Sequence, residues 1–214
     1  MGILVAIEGL DGAGKNTLVR RVEQEASAGG VRMTTITFPN YRRSATADLA
    51  SAALHGEHDA LAGNAYAMAA LFALDRLDSR DALRAAQSSH DLVLCDRYVA
   101  SNAAYSAARL AEGPDGDVVE WVRSLEFGRF ELPVPDHQLL LGVPPEVAMS
   151  RAEGRAAADA SRAKDVYERD ADLQTRVYRA YLALAETNWV SPWTVADSDD
   201  AVEAILGLVT HPAR

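Results

Sequence analysis

The chain has 214 residues, 49% of them hydrophobic, with a net charge of −10. That is ample apolar material for one α/β core, which excludes a disordered chain, and the acidic balance argues against broad binding to nucleic acid or an anionic membrane. Any anionic ligand must therefore be held by local cations, backbone amides or a metal, and a single cysteine, Cys95, excludes an intrachain disulfide and suits a reducing compartment.

The apolar run from Ile3 to Ile7 reads as a strand over about 3–8. It empties into Gly9-Leu10-Asp11-Gly12-Ala13-Gly14-Lys15-Asn16-Thr17, with a helix opening at Lys15. Glycines at both ends let backbone N–H groups curl around an anion, and the lysine adds a point charge near a transferred phosphate. The lysine stands out because the chain has only one other, Lys164. Lys15 to Ala28 is the first helix, ended by Gly29-Gly30. Further strands fall at about 33–37, 91–95, 137–142 and 193–196. Their alternation with helical stretches predicts an α/β fold with a parallel five-stranded sheet and right-handed crossovers.

Between the strands, residues 62–86 have the composition and spacing of one long helix, and 100–110 of a shorter one. Val118, Trp121, Val122 and Leu125 recur at helical spacing as far as Phe130, forming a core face or a dimer face. Pro144-Pro145 opens a helix holding Arg151 and Arg155. Residues 156–163 are small and polar, as in a lid, over about 150–163 in all. Residues 167–186 read as a long helix, and Asp197 to Asp200 as the cap of the last one. No linker or repeat calls for a second domain, so one domain over 1–214 is expected. No apolar stretch approaches membrane-spanning length and residues 1–7 are too short and uncharged for a signal peptide, so a cytoplasmic protein is expected.

Chemistry-bearing residues cluster after the strands. Asp96-Arg97-Tyr98 follows the third strand, where doubly wound folds place ligand chemistry. An acid there orients magnesium or its waters, and Arg97 offers a planar fork for bridging two phosphates. By itself such a pair is more often a structural ion pair; beside a phosphate loop it points to function. Phe38-Pro39 with Tyr41 follows the second strand. Phe72 and Arg76 lie four residues apart on one helix face; in isolation they read best as a core phenylalanine with an exposed arginine, but an aromatic and a cation at that spacing can also stack a base and grip its phosphate. Ser101-Asn102 with Tyr105 comes next, and asparagine offers both an acceptor and donors to a pyrimidine edge.

These motifs, in this order, resemble the bacterial thymidylate kinases. The residues that carry the resemblance are Gly9-x-Asp11-Gly12-x-Gly14-Lys15-x-Thr17, Phe38-Pro39, Phe72-x-x-x-Arg76, Asp96-Arg97-Tyr98, Ser101-Asn102-x-x-Tyr105 and Asp165-x-Tyr167-Glu168. The resemblance implies a P-loop NTPase-type fold with helices on both sheet faces and transfer of the ATP γ-phosphoryl to dTMP with Mg2+. It implies that Phe72 stacks on thymine, that Arg76 and Asn102 contact the base edge, and that Arg97 holds the acceptor phosphate. Tyr105 would lie under the deoxyribose, while Phe38, Tyr41, Ser101 and Tyr167 line the nucleotide pocket. Asp11 would meet the sugar or a magnesium near the acceptor phosphate, with Asp165 and Glu168 around it and Asp96 behind the metal's waters. Family members without a loop arginine use lid arginines, which nominates Arg155 first, then Arg151 or Arg162. Asn16 departs from the family's Ser or Thr, whose hydroxyl ligates the ATP-bound magnesium.

The acceptor phosphate is already anionic, so catalysis reduces to alignment and charge neutralisation by Lys15, Arg97, Asp11's metal and Arg155. Two other readings compete. A kinase for a hydroxyl acceptor needs a carboxylate base, for which Glu8 is available; a nucleotide switch would leave the arginines without a role. His55-Gly56-Glu57-His58 reads as a solvated turn rather than a metal pair. The family pairs through helices, so a homodimer is expected through Tyr66 to Leu74 or Val118 to Leu125.

Overall fold

A computed structural model of the chain describes residues 1–158 and 165–210, with side chains described for all of these except 155–158. In chain order the first half comprises β1 (Ile3–Glu8), α1 (Lys15–Ala28), β2 (Met33–Thr37), α2 (Ala45–Leu54), α3 (Asp59–Ala62), α4 (Ala65–Asp78), α5 (Arg80–Ser89) and β3 (Leu92–Asp96). There follow α6 (Val99–Leu110) and α7 (Asp117–Arg123), which runs into a π-helical segment, Ser124–Arg129. The second half closes with β4 (His137–Leu141), α8 (Pro145–Ala158), α9 (Val166–Arg169), α10 (Ala171–Glu186), β5 (Trp193–Ala196) and α11 (Ser198–Thr210).

The strands form one sheet in the order β2-β3-β1-β4-β5, and every pairing is parallel. Side-chain alternation divides β1 between two cores. Leu4 and Ala6 face a cluster with Val99, Ala103, Val122, Val177 and Tyr181 from α6, α7 and α10. Val5 and Ile7 face the opposite cluster with Leu18, Val22, Val202 and Ile205 from α1 and α11. Helices therefore cover both faces, as the unbroken apolar runs predict for a parallel sheet. The chain leaves β1 toward α1 on one face and leaves β3 toward α6 on the other. That divergence opens a crevice at the carboxyl ends of these adjacent strands.

Two expected helices are interrupted and a third widens, each for a local reason. The span 62–86 breaks twice. Asn64 caps α4 by accepting from Ala67 N at 3.0 Å, and Ser79 N donates back to Arg76 O at 3.0 Å, tightening the turn before α5. The span 167–186 is cut at Asp170, whose side chain accepts from Leu173 N at 2.8 Å and caps α10. The face from Val118 to Phe130 is continuous, but beyond Arg123 the turn widens until Phe130 N donates to Leu125 O at 2.9 Å. Sequence reading missed α2, which Ser44 caps by accepting from Ala47 N at 3.3 Å and which buries Ala47, Ala50 and Ala53. Gly30 takes the left-handed φ of 72° that ends α1, as expected, and Asp197 caps α11 through Asp199 N at 2.9 Å.

Candidate active site

The phosphate loop is built from positive-φ glycines: Gly9 at 146°, Gly12 at 91° and Gly14 at 102°. A β-carbon on Gly12 would drive into the carbonyl oxygen of Ala148 on α8, so glycine is required there sterically as well. Lys15 opens α1 and folds back over its own loop, donating from Nζ to Gly9 O at 3.1 Å and Leu10 O at 2.9 Å. It is 8% exposed; burial, then the repulsion of Arg97, pulls its pKa down to about 8 against the opposing pull of Asp11. Asp11, Gly12, Gly14, Lys15 and Asn16 line a cleft of about 580 Å³. Gly9, Leu10 and Ala13 lie buried behind it, while Thr17 is exposed and outside the lining, one residue too late along the helix.

Arg97 follows β3 with a left-handed φ of 64°, a conformation that costs a non-glycine residue about 1–2 kcal/mol. Its guanidinium spans the crevice: Nη2 donates to Asp11 Oδ1 at 2.7 Å and Nη1 to Ser101 Oγ at 3.3 Å and Tyr181 OH at 3.4 Å. It also lies 5.7 Å from the centre of the Tyr105 ring. Burial, the largest single influence, works against its charge, but Asp11 together with Tyr105 and Tyr181 holds its pKa well above normal. Beneath it Glu8 is fully buried, accepting from Tyr98 N at 2.9 Å, Ser101 Oγ at 2.5 Å and Tyr181 OH at 3.2 Å. Burial raises the Glu8 pKa. Glu8 lines neither cavity at the crevice, so the carboxylate nominated as the base of a hydroxyl-accepting kinase is out of reach there.

Adjoining the cleft is a second, smaller pocket of about 100 Å³. Phe38, Tyr41, Phe72, Arg76, Arg97, Ser101, Asn102, Tyr105 and Tyr167 all line it, so every residue nominated for the acceptor nucleotide converges there. Tyr105 and Tyr167 stack with centroids 6.1 Å apart, and the Tyr105 hydroxyl reaches Asp11 Oδ2 at 3.5 Å. Burial raises the pKa of Tyr41, Tyr105 and Tyr167, keeping all three neutral. Glu126, which the sequence reading passed over, holds Arg76 and Asn102 from behind. It is fully buried, and its Oε1 accepts from Arg76 Nη2 at 2.8 Å and Asn102 Nδ2 at 2.7 Å. Its position four residues after Val122, on an otherwise apolar face, was the available signal. A carboxylate there must find a buried cation.

Asp165 and Glu168, which line both cavities, form a capping box at α9: Asp165 Oδ1 accepts from Tyr167 N and Glu168 N at 2.8 Å each. Glu168 Oε2 accepts in return from Asp165 N at 3.3 Å. Burial, then Asp11 and Asp165, raises Glu168 to about 7. Asp96 lines the larger cleft, and its Oδ1 is buried without a hydrogen-bond partner among the described residues. Hard oxygen donors facing a phosphate cleft fit Mg2+, which keeps several waters and needs one or two carboxylates besides substrate phosphates. No group of three His, Cys, Asp or Glu side chains among the described residues forms a ready-made metal cage. Arg151 is exposed on α8; Arg155 lies on the same helix with its side chain outside the described residues, and Arg162 lies outside them altogether.

A phosphate loop and an aromatic, arginine-lined acceptor pocket meeting at one crevice of a parallel sheet define a P-loop kinase. A family model described as thymidylate kinase matches residues 7–205. The thymidylate kinase of Mycobacterium tuberculosis is 50% identical over 197 residues, 92% of each chain. That of Bifidobacterium longum is 30% identical over 211 residues, 97% of this chain and 95% of the relative. The fold is similar to a solved Candida albicans thymidylate kinase with a TM-score of 0.74 at 22% identity, covering 98% of this chain and 91% of that one. The chain belongs to the thymidylate kinase family.

Proposed function

We propose that the enzyme transfers the γ-phosphoryl group of ATP to the 5′-phosphate of dTMP, giving dTDP and ADP. The observation that carries this is Arg97, which bridges the two cavities: it lines both, and one guanidinium can hold the acceptor phosphate where the donor arrives. Lys15 and the loop amides cradle the ATP phosphates, and Phe72, Arg76 and Asn102 receive the base. Tyr105 and Tyr167 flank the sugar. Magnesium, when bound, spreads the charge of the transferred group; Asp96 and Asp11 would hold it directly or through its waters, with Asn16, Asp165 and Glu168 nearby. Arg155, with Arg151, supplies further cations from a lid over about 150–163.

The chain works as one domain over 1–214, as a homodimer in the cytoplasm. No described helix is long and apolar enough to cross a membrane. ADP release, coupled to a reporter, tests the reading with ATP, Mg2+ and dTMP, dUMP, UMP, dCMP, AMP or thymidine. Clear preference for dTMP is expected. Turnover of thymidine alone would restore the hydroxyl-accepting kinase, and silence on all six would refute the reaction.

A further inference from the structure

The polarity of the base pocket is set from behind it. Asn102 Nδ2 donates to Ala69 O at 3.0 Å and to Glu126 Oε1 at 2.7 Å, so both of its N–H bonds are spent inside the protein. The reverse amide orientation would press Oδ1 against two acceptors with no proton between them. Asn102 therefore offers the pocket its carbonyl oxygen only. Arg76 is held by the same carboxylate, Nε to Oε2 at 2.5 Å and Nη2 to Oε1 at 2.8 Å. Two of its nitrogens face Glu126, which leaves Nη1 as the donor turned to the pocket.

We infer that Glu126 is a positioning residue that fixes a donor–acceptor pair, Arg76 Nη1 and Asn102 Oδ1, and thereby selects a pyrimidine with a carbonyl beside a ring N–H. Thymine and uracil carry that pattern; cytosine carries its inverse, an amino group beside an unprotonated ring nitrogen, and meets donor against donor and acceptor against acceptor. Glu126 lies within the π-helical segment Ser124–Arg129 and is fully buried. Such widened turns are often functional. The inference rests on the proposed dTMP reaction and adds the residue that enforces base choice.

Glu126→Gln keeps the shape but puts an amide N–H against one of three donors, freeing Arg76 or the Asn102 amide to turn. The dTMP KM should rise about tenfold or more with kcat changed far less. The ratio of kcat/KM for dTMP over dCMP should fall about ten- to a hundredfold. The dTMP over dUMP ratio should stay as in the wild type, because both bases present the same edge. The fold is monitored by thermal unfolding, and Glu126→Asp, which restores the charge, should recover part of the dCMP discrimination. An unchanged dTMP over dCMP ratio in folded Glu126→Gln would overturn the inference. Failure of the wild-type enzyme to use dTMP would instead overturn the reaction itself.

Discussion

At the scale of single residues, Arg97 sets function against backbone preference. Its left-handed φ of 64° is one that glycine adopts without cost. Arg97→Gly should therefore leave the urea midpoint close to wild type while lowering kcat on the order of a thousandfold or more. Near-normal turnover would remove the residue from phosphate handling. Lys15 gives a pH dependence of definite sign. With its pKa held at about 8, the free enzyme loses the lysine charge as pH rises past that value, so kcat/KM for ATP should fall above about pH 8. A folded-state pKa below the unfolded 10.5 also means that the unfolded chain binds more protons between about 8 and 10.5. Stability from this group therefore rises with pH across that window, and Lys15→Met should abolish that rise. A flat activity profile between pH 7 and about 9.5 would contradict the assignment of Lys15 to ATP.

At the scale of elements, the phosphate loop and α8 act as one unit because Gly12 packs against the Ala148 backbone. Gly12→Ala meets that carbonyl and demands a φ of 91° from a residue with a β-carbon. It should cost about 1–3 kcal/mol in backbone strain alone and raise the ATP KM, read by urea unfolding and steady-state kinetics. Unchanged values for both would show that α8 gives way freely. The central strands β1 and β3 were legible because they lie buried between two helical layers, so Ile3 to Ile7 and Leu92 to Cys95 are uninterrupted apolar runs. The phosphate loop and Arg97 were legible because spacing along the chain determines them. What the sequence concealed depends on tertiary partners. The break at Ser79, the cap at Asp170 and the widened turn after Arg123 each follow from a choice between helix continuation and a local bond that composition alone leaves open. Glu126 is the sharpest instance: its role exists only once α4, α6 and the segment after α7 are packed together.

At the scale of the whole molecule, α4 has two faces with different duties. One buries Met68, Ala69 and Ala73 and turns Arg76 into the base pocket; the other leaves Tyr66 and Leu74 exposed at 38% and 37%. Tyr66 meets the edge of Trp121 with centroids 5.1 Å apart, so the exposed strip runs from α4 onto α7. An apolar strip that continues across two packed helices is where a second copy would bury area at least desolvation cost. Light scattering should accordingly give twice 23.0 kDa. Leu74→Arg should move the mass toward 23.0 kDa. Because Phe72 and Arg76 sit on the same helix, that variant should also raise the dTMP KM more than the ATP KM, as α4 loses an external support. A wild-type monomer would refute the dimer. A dimer undisturbed by Leu74→Arg would place its interface elsewhere, and equal changes in both KM values would show that α4 does not couple the interface to the base pocket.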